Sequence, residues 1–216
     1  LFSFGSLLSQ TTAPKYSNEF LTIGVGARNF AMANSVLAGV NDVTAGYYNP
    51  SGLLGIEKDM EVGLMHSEYF AGIAKYDYLG FAKRIDENSV AGVSFIRFGT
   101  DDIPNTTQLI DKNGNIDYDR ITRFSAADYA LLLSYSRKTS SGLELGGNFK
   151  IIHRRIGDFA RSWGFGLDVS VNYTYKDWKF AAVARDITTT VNAWSYSIDE
   201  ATREVFDATG NEIPEN

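Results

Sequence analysis

The chain has 216 residues, 44 % hydrophobic and 21 % charged, a composition that one folded domain or an outer-membrane barrel would both show. Its net charge of −6 provides no basic stripe to displace counterions from phosphate, which argues against a nucleic-acid partner. It has no cysteine, which removes disulfides, thiol nucleophiles and thiolate metal sites, and no apolar run approaches the roughly eighteen residues of a spanning helix.

Residues 1–9 read as the end of the apolar core of a signal peptide, with Ser9-Gln10 as a cleavage point; the positive region and initiator Met that would precede it are missing from the sequence. Residues 10–58 are rich in Gly and Ala and too irregular for a spanning strand. Strands are predicted over 59–67, 73–85, 88–98, 126–138, 142–154, 162–175 and 177–187. The clearest is the sixth, where Trp163, Phe165, Leu167, Val169, Val171 and Tyr173 alternate with Gly164, Gly166, Asp168, Ser170, Asn172 and Thr174. A period of two puts each set on its own face of a sheet. Strands of ten residues or more exceed the usual ~5–6 of soluble domains and match the ~9–11 that cross a bilayer at a tilt.

Short turns fall at Asp86-Glu87-Asn88, Thr139-Ser140-Ser141-Gly142 and Lys176-Asp177, while a long polar segment joins 99–125 and a medium one joins 155–161. Short turns on one side and long loops on the other are the outer-membrane barrel arrangement. Tyr129, Tyr135, Tyr173, Tyr175 and Trp178 at strand ends fit interfacial girdles, and Glu61, Glu144, Asn148, Lys150, Asp168 and Asn172 are expected to face a lumen. Seven strands is an odd number, whereas single-chain bacterial barrels close on an even one, and residues 188–216 read as the start of a long extracellular loop. The expectation is an antiparallel transmembrane β-barrel cut at both ends.

One run ahead of the strands carries a resemblance. Gly24-Val25-Gly26-Ala27-Arg28, then Asp42, then Asn49-Pro50-Ser51-Gly52-Leu53, resembles the N-terminal signature of the PorV/PorQ family of outer-membrane proteins, relatives of the FadL fatty-acid transporters. The later Ala184-Arg185-Asp186-Ile187-Thr188-Thr189-Thr190, with Asn192-Ala193-Trp194, resembles another stretch of that family. Ser51 stands where Ala is usual, and Gly24-Val25-Gly26 stands where members of the type IX secretion machine carry Ala-Pro-Asp, so the likeness is to the family rather than to one member. The resemblance implies a fourteen-stranded barrel of a Gram-negative outer membrane, about seven strands of it present here, with residues 10–58 folded back into the lumen as a hatch. It also implies two functions from different classes. One is a non-enzymatic component of protein secretion or surface attachment, working through external loops that carry Tyr118, Arg120, Arg123, Trp194 and Tyr196, residue types enriched at interfaces. The other is a diffusion channel for a hydrophobic ligand such as a long-chain fatty acid. The polar inward face favours the first.

Motifs for chemistry fail. Gly24-x-Gly26 lacks a third glycine, since position 29 is Asn29, so no dinucleotide loop is expected. In Asp111-Lys112-Asn113-Gly114-Asn115-Ile116-Asp117, Ile116 occupies the position where an EF-hand needs Gly, and Thr122 the position where it needs Glu. A type I′ turn at Asn113-Gly114 is the favoured reading, weak calcium binding by the exposed loop the alternative, and the tract at 207–211 reads the same way. His66 and His153 are isolated rim histidines. Arg28 and Asp42 are expected to pair with each other or with Glu144, Lys150 or Asp168, because either would be costly to bury alone. No cofactor, no metal and no enzymatic activity are expected.

Overall fold

The computed structural model describes residues 18–110, 115–188, 191–197 and 203. The fold is mostly β: an antiparallel curled sheet forming a half-barrel, with a few short helices ahead of it. Strands β1 (Met60–Tyr69), β2 (Ala74–Asp86), β3 (Ser89–Asn105), β4 (Thr122–Lys138), β5 (Glu144–Ile156) and β6 (Ala160–Tyr175) pair in sequence order, each with the next. The seventh position is shared by β7 (Trp178–Ala184), on one half of β6, and β8 (Val191–Tyr196), on the other. The turns at 86–89, 138–144 and 175–178 mark one end of the sheet, called lower here; the 105–122 connection lies at the upper end. No described helix is long and apolar enough to cross a membrane.

The alternation read from the sequence is the alternation observed. Trp163, Phe165, Leu167 and Val169 are exposed on the convex face, and Asp168, Ser170 and Asn172 are buried on the concave one. Because registers align across the sheet, outward residues form rows. One runs Val62, Phe81, Val93, Leu133, Phe149, Leu167, and the next above it Leu64, Leu79, Phe95, Leu131, Ile151, Phe165. On β6 the outward set from Trp163 to Tyr173 spans ten residue steps. At ~3.3 Å per step and a tilt of about 40°, that is a band ~25 Å tall bounded by aromatics.

Three strand boundaries differ from expectation. β3 and β4 continue to Asn105 and from Thr122 as a paired ribbon, so much of the segment read as a loop from 99 to 125 is strand. A bulge between Thr100 and Ile103, with Asp102 at φ 60°, resets the side-chain phase there and hides the strand from a period-two reading. Pro104 falls where β2 has already ended, on an edge that requires no N–H donor. The third difference is β8, which makes residues 191–196 a strand rather than the beginning of a loop. Between the pairs Val169↔Ala184 and Phe165↔Val191 the seventh strand advances seven residues while β6 advances four, so three extra residues bulge out.

Residues 18–58 pack into the concavity as short turns: a 3-10 turn at Glu19–Thr22, α1 (Ala27–Ala31), α2 (Ala45–Tyr48) and a second 3-10 turn at Pro50–Gly55. One apolar cluster joins the two layers. Val25, Val36, Val40, Val43, Tyr48 and Leu53 from this segment meet Tyr76, Tyr78, Ile96, Leu132 and Ile152 from the sheet. Fully burying a side chain such as Leu53 contributes ~1.5–3 kcal/mol, which ordered turns of this length need, since they form few internal bonds.

Candidate functional site

The concave face is shaped to receive the N-terminal segment. Gly63 and Gly80 lie opposite each other in register, and a Cβ on either would meet a Val43 methyl at 2.7 or 2.9 Å. At Gly146 the approach is closer: a Cβ would lie 2.2 Å from Ser51 N and 2.6 Å from the Pro50 carbonyl carbon. The backbone of the Asn49-Pro50-Ser51-Gly52 turn therefore rests directly on the backbone of β5. Ser51 N donates to Ser170 Oγ at 2.9 Å, and Asn49 Nδ2 donates to Asn172 Oδ1 at 2.7 Å and to Leu37 O at 2.6 Å. Upstream, Gly24 at φ 101° places its N–H on Tyr47 Oη at 3.1 Å, and Tyr48 Oη accepts from Val25 N at 2.9 Å. Burial pushes the Tyr47 phenol up to about 12, and its hydroxyl donates to Leu21 O.

A buried ionic cluster holds the other side. Lys150 Nζ lies 2.7 Å from Asp168 Oδ1 and 2.6 Å from Asp186 Oδ1, and the three side chains are 3 %, 5 % and 10 % exposed. Asn148 Nδ2 donates to Gly46 O at 2.9 Å and to Asp168 Oδ2 at 3.3 Å. Asp186 comes from the bulge between β7 and β8, beside Arg185, whose Nη2 donates to Tyr48 O at 3.4 Å and whose guanidinium lies 5.8 Å from the centre of the Tyr47 ring. A regular strand sends consecutive side chains to opposite faces. The bulge, with Asp186 at φ 50°, is what lets Arg185 and Asp186 both reach the N-terminal segment and its supports.

All six polar residues expected on the inner face lie on it. Glu144 accepts from Asn172 Nδ2 at 3.4 Å and Glu61 from Val43 N at 3.2 Å, while Asn148, Lys150, Asp168 and Asn172 are buried as described. The inner face is less uniformly polar than the sequence suggests, because Tyr76, Tyr78, Ile96, Leu132 and Ile152 share it. The motif residues divide. Gly24, Asn49, Pro50 and Gly52 are fixed in the packed interior, and a Cβ on Gly52 would meet Val40 O at 2.6 Å. Gly26 caps α1 at φ 86°, whereas Ala27 and Arg28 are exposed on that helix.

The expected pairing of Arg28 and Asp42 is not present. Asp42 turns to the start of α2, accepting from Thr44 N at 2.8 Å and from the Thr44 hydroxyl, and Arg28 makes no ion pair among the described residues. Arg28 is exposed, so the cost of burying it, which motivated the pairing, does not arise. Lys150, Asp168 and Asp186 form a buried ionic contact instead, and Asp186 is not among the residues expected on the inner face. Two adjacent charges, Arg185-Asp186, closing an alternating strand were the available signal.

No protein-family model and no curated protein sequence matches this chain.

At the upper rim, Tyr118 is 71 % exposed and Arg120 pairs with Asp117 at 3.2 Å. Arg123 is the second residue of β4, and Trp194 and Tyr196 stack in β8 with ring centres 6.2 Å apart. Trp194 also lines a cavity of about 300 Å³ with Phe98, Asp128, Arg154 and Ile156. Ile110 and Ile116 form an antiparallel bridge; the turn expected at Asn113-Gly114 lies outside the described residues, as do residues 1–9 and 207–211. His66 is exposed with Nδ1 2.6 Å from Asp77, and His153 stacks beside Trp163 at 4.2 Å between ring centres. No cluster able to hold a metal occurs among the described residues.

Proposed function

We propose that this chain belongs to an outer-membrane β-barrel of the PorV/PorQ kind, a non-enzymatic component of protein secretion or cell-surface attachment that works through its upper loops. The observation that carries the reading is the exposed convex band. Two unbroken apolar rows cross six strands, as a lipid-facing wall requires and a water-facing one avoids. Tyr135, Tyr173, Tyr175 and Trp178, exposed on that face, fit an interfacial girdle. The outer edges of β1 and of β7 and β8 carry no further strand among the described residues. Such long open edges fit a barrel that further strands complete. Inside it, the N-terminal segment acts as a hatch, sealed by backbone contact at Gly146 and by the Lys150 cluster, so the barrel serves as a closed platform for its rim.

The cavity beside Trp194 supports a second reading, a channel for a hydrophobic ligand, because Phe98, Ile156 and Trp194 surround it with Arg154 at hand. One experiment separates the two. Removing residues 106–121 from the protein in its native membrane should abolish capture of its protein partners while the barrel keeps its heat-modifiable migration. Loss of capture with no fatty acid in the purified protein is the expected result. Undiminished capture, together with a fatty acid retained in the cavity, would replace the platform with the channel.

A further inference from the structure

Above the apolar rows, on the same convex face, arginines converge. Arg97, Arg123 and Arg155 line a cleft of about 370 Å³ with Ala127, Tyr129 and Asp158. Registers fix its place. Arg97 pairs with Tyr129 one outward row above Phe95 and Leu131, and Ala127 pairs with Arg155 one row higher again. Same-face rows are ~7 Å apart, so the guanidinium groups begin where the apolar band stops. Tyr129, stacked between Phe95 and His153, stands at the boundary.

These cations are weakly paired, in a chain whose net charge is −6. Arg97 spans Asp77 at 3.5 Å and Asp101 at 3.3 Å, both at the long end for an ion pair. Arg123 donates to a carbonyl, Asp102 O at 3.4 Å, and makes no ion pair among the described residues. Arg155 meets Asp158 at 2.7 Å, but that carboxylate is 86 % exposed, and exposed pairs are weak and readily exchanged. Arg155 also lies directly opposite Arg161, which makes no ion pair among the described residues. Like charges in that position destabilise a sheet, and an anion held between them reverses the sign. Guanidinium groups bind phosphate oxygens two at a time, a geometry that the one-oxygen carboxylate contacts here do not supply.

We infer that this cleft binds the phosphate of an anionic lipid headgroup, with the acyl chains lying below along Phe95, Leu131 and Ile151. The inference rests on the membrane reading given above. Free phosphate shares the headgroup chemistry but has nothing to place on the apolar rows, which is why the lipid is the occupant favoured.

The test uses the chain in dodecyl maltoside micelles doped with phosphatidylglycerol or phosphatidylcholine, with bound lipid counted by native mass spectrometry. Phosphatidylglycerol should be retained roughly tenfold better, the size of one charge-assisted contact. The preference should vanish in the double variant Arg123→Ala/Arg155→Ala, grow in Asp158→Ala, and persist in Arg137→Ala at the lower end. Equal retention of the two lipids, or a preference that survives the double variant, would overturn the headgroup claim and leave the membrane reading standing. Release of phosphatidylglycerol by millimolar inorganic phosphate would assign the cleft to a soluble anion instead. A chain that binds neither lipid and stays dispersed without detergent would end both claims.

Discussion

Lys150→Met should cost about 3–5 kcal/mol and loosen the N-terminal segment, because it leaves two carboxylates facing each other in a site closed to water. Asp168 and Asp186 both lie within 2.7 Å of the ammonium and are at most 10 % exposed, so neither can turn to solvent. Asp168→Asn should be milder, since Lys150 keeps Asp186 at 2.6 Å. The triple variant Lys150→Met/Asp168→Asn/Asp186→Asn should recover much of the loss, because no uncompensated charge stays buried. Urea unfolding midpoints rank the three variants. A single Lys150→Met protein as stable as the parent would show that the cluster does not hold the bulge to β5.

Gly146→Val should displace the Asn49-Pro50-Ser51-Gly52 turn from the sheet. The new Cβ would start 2.2 Å from Ser51 N, a backbone atom that cannot rotate away, so the turn must lift. Lifting it breaks the bonds to Ser170 and Asn172 and uncovers Leu53, a combined loss of about 3 kcal/mol or more. Gly147→Ala is the control, since its Cβ points to the other face and meets nothing closer than Asp168 O at 3.3 Å. A cysteine at position 51 reads the outcome: protected from a bulky thiol reagent in the parent and in Gly147→Ala, labelled in Gly146→Val. Protection in all three would mean that the turn leaves room for a side chain at position 146, against an approach of 2.2 Å to Ser51 N.

What the sequence made legible was periodic. The strand read over 162–175 is Ala160–Tyr175, and that over 142–154 is Glu144–Ile156, because on both strands one face is packed and the other apolar, which leaves an uninterrupted alternation. Where the backbone breaks phase, the signal fails. The bulge at Asp102 hid the upper ribbon of β3 and β4, and the bulge at Arg185-Asp186 hid β8. Contacts between distant parts of the chain left fainter marks. Lys150 and Asp168 were placed on one face, but nothing local tied them to Asp186. Gly146-Gly147 inside a strand was the trace of the close approach to Ser51, since glycine in a strand interior often marks a place where another backbone passes. The pairing expected of Arg28 failed because the motif suggested burial for the whole run, whereas α1 turns Ala27 and Arg28 outward.

Because the chain has no cysteine, contact of the convex band with lipid is directly measurable. Single cysteines at positions 129–136 of β4, spin-labelled after reconstitution into lipid, report collision with oxygen, which concentrates in the bilayer, and with a water-soluble nickel chelate, which stays outside it. Labels at 131 and 133 should collide with oxygen and not with nickel. Labels at 132, 134 and 136, where Leu132, Ser134 and Ser136 are buried, should be shielded from both. Nickel access at 131 and 133 equal to that of an exposed loop position would place the convex face in water and rule out a lipid-facing wall.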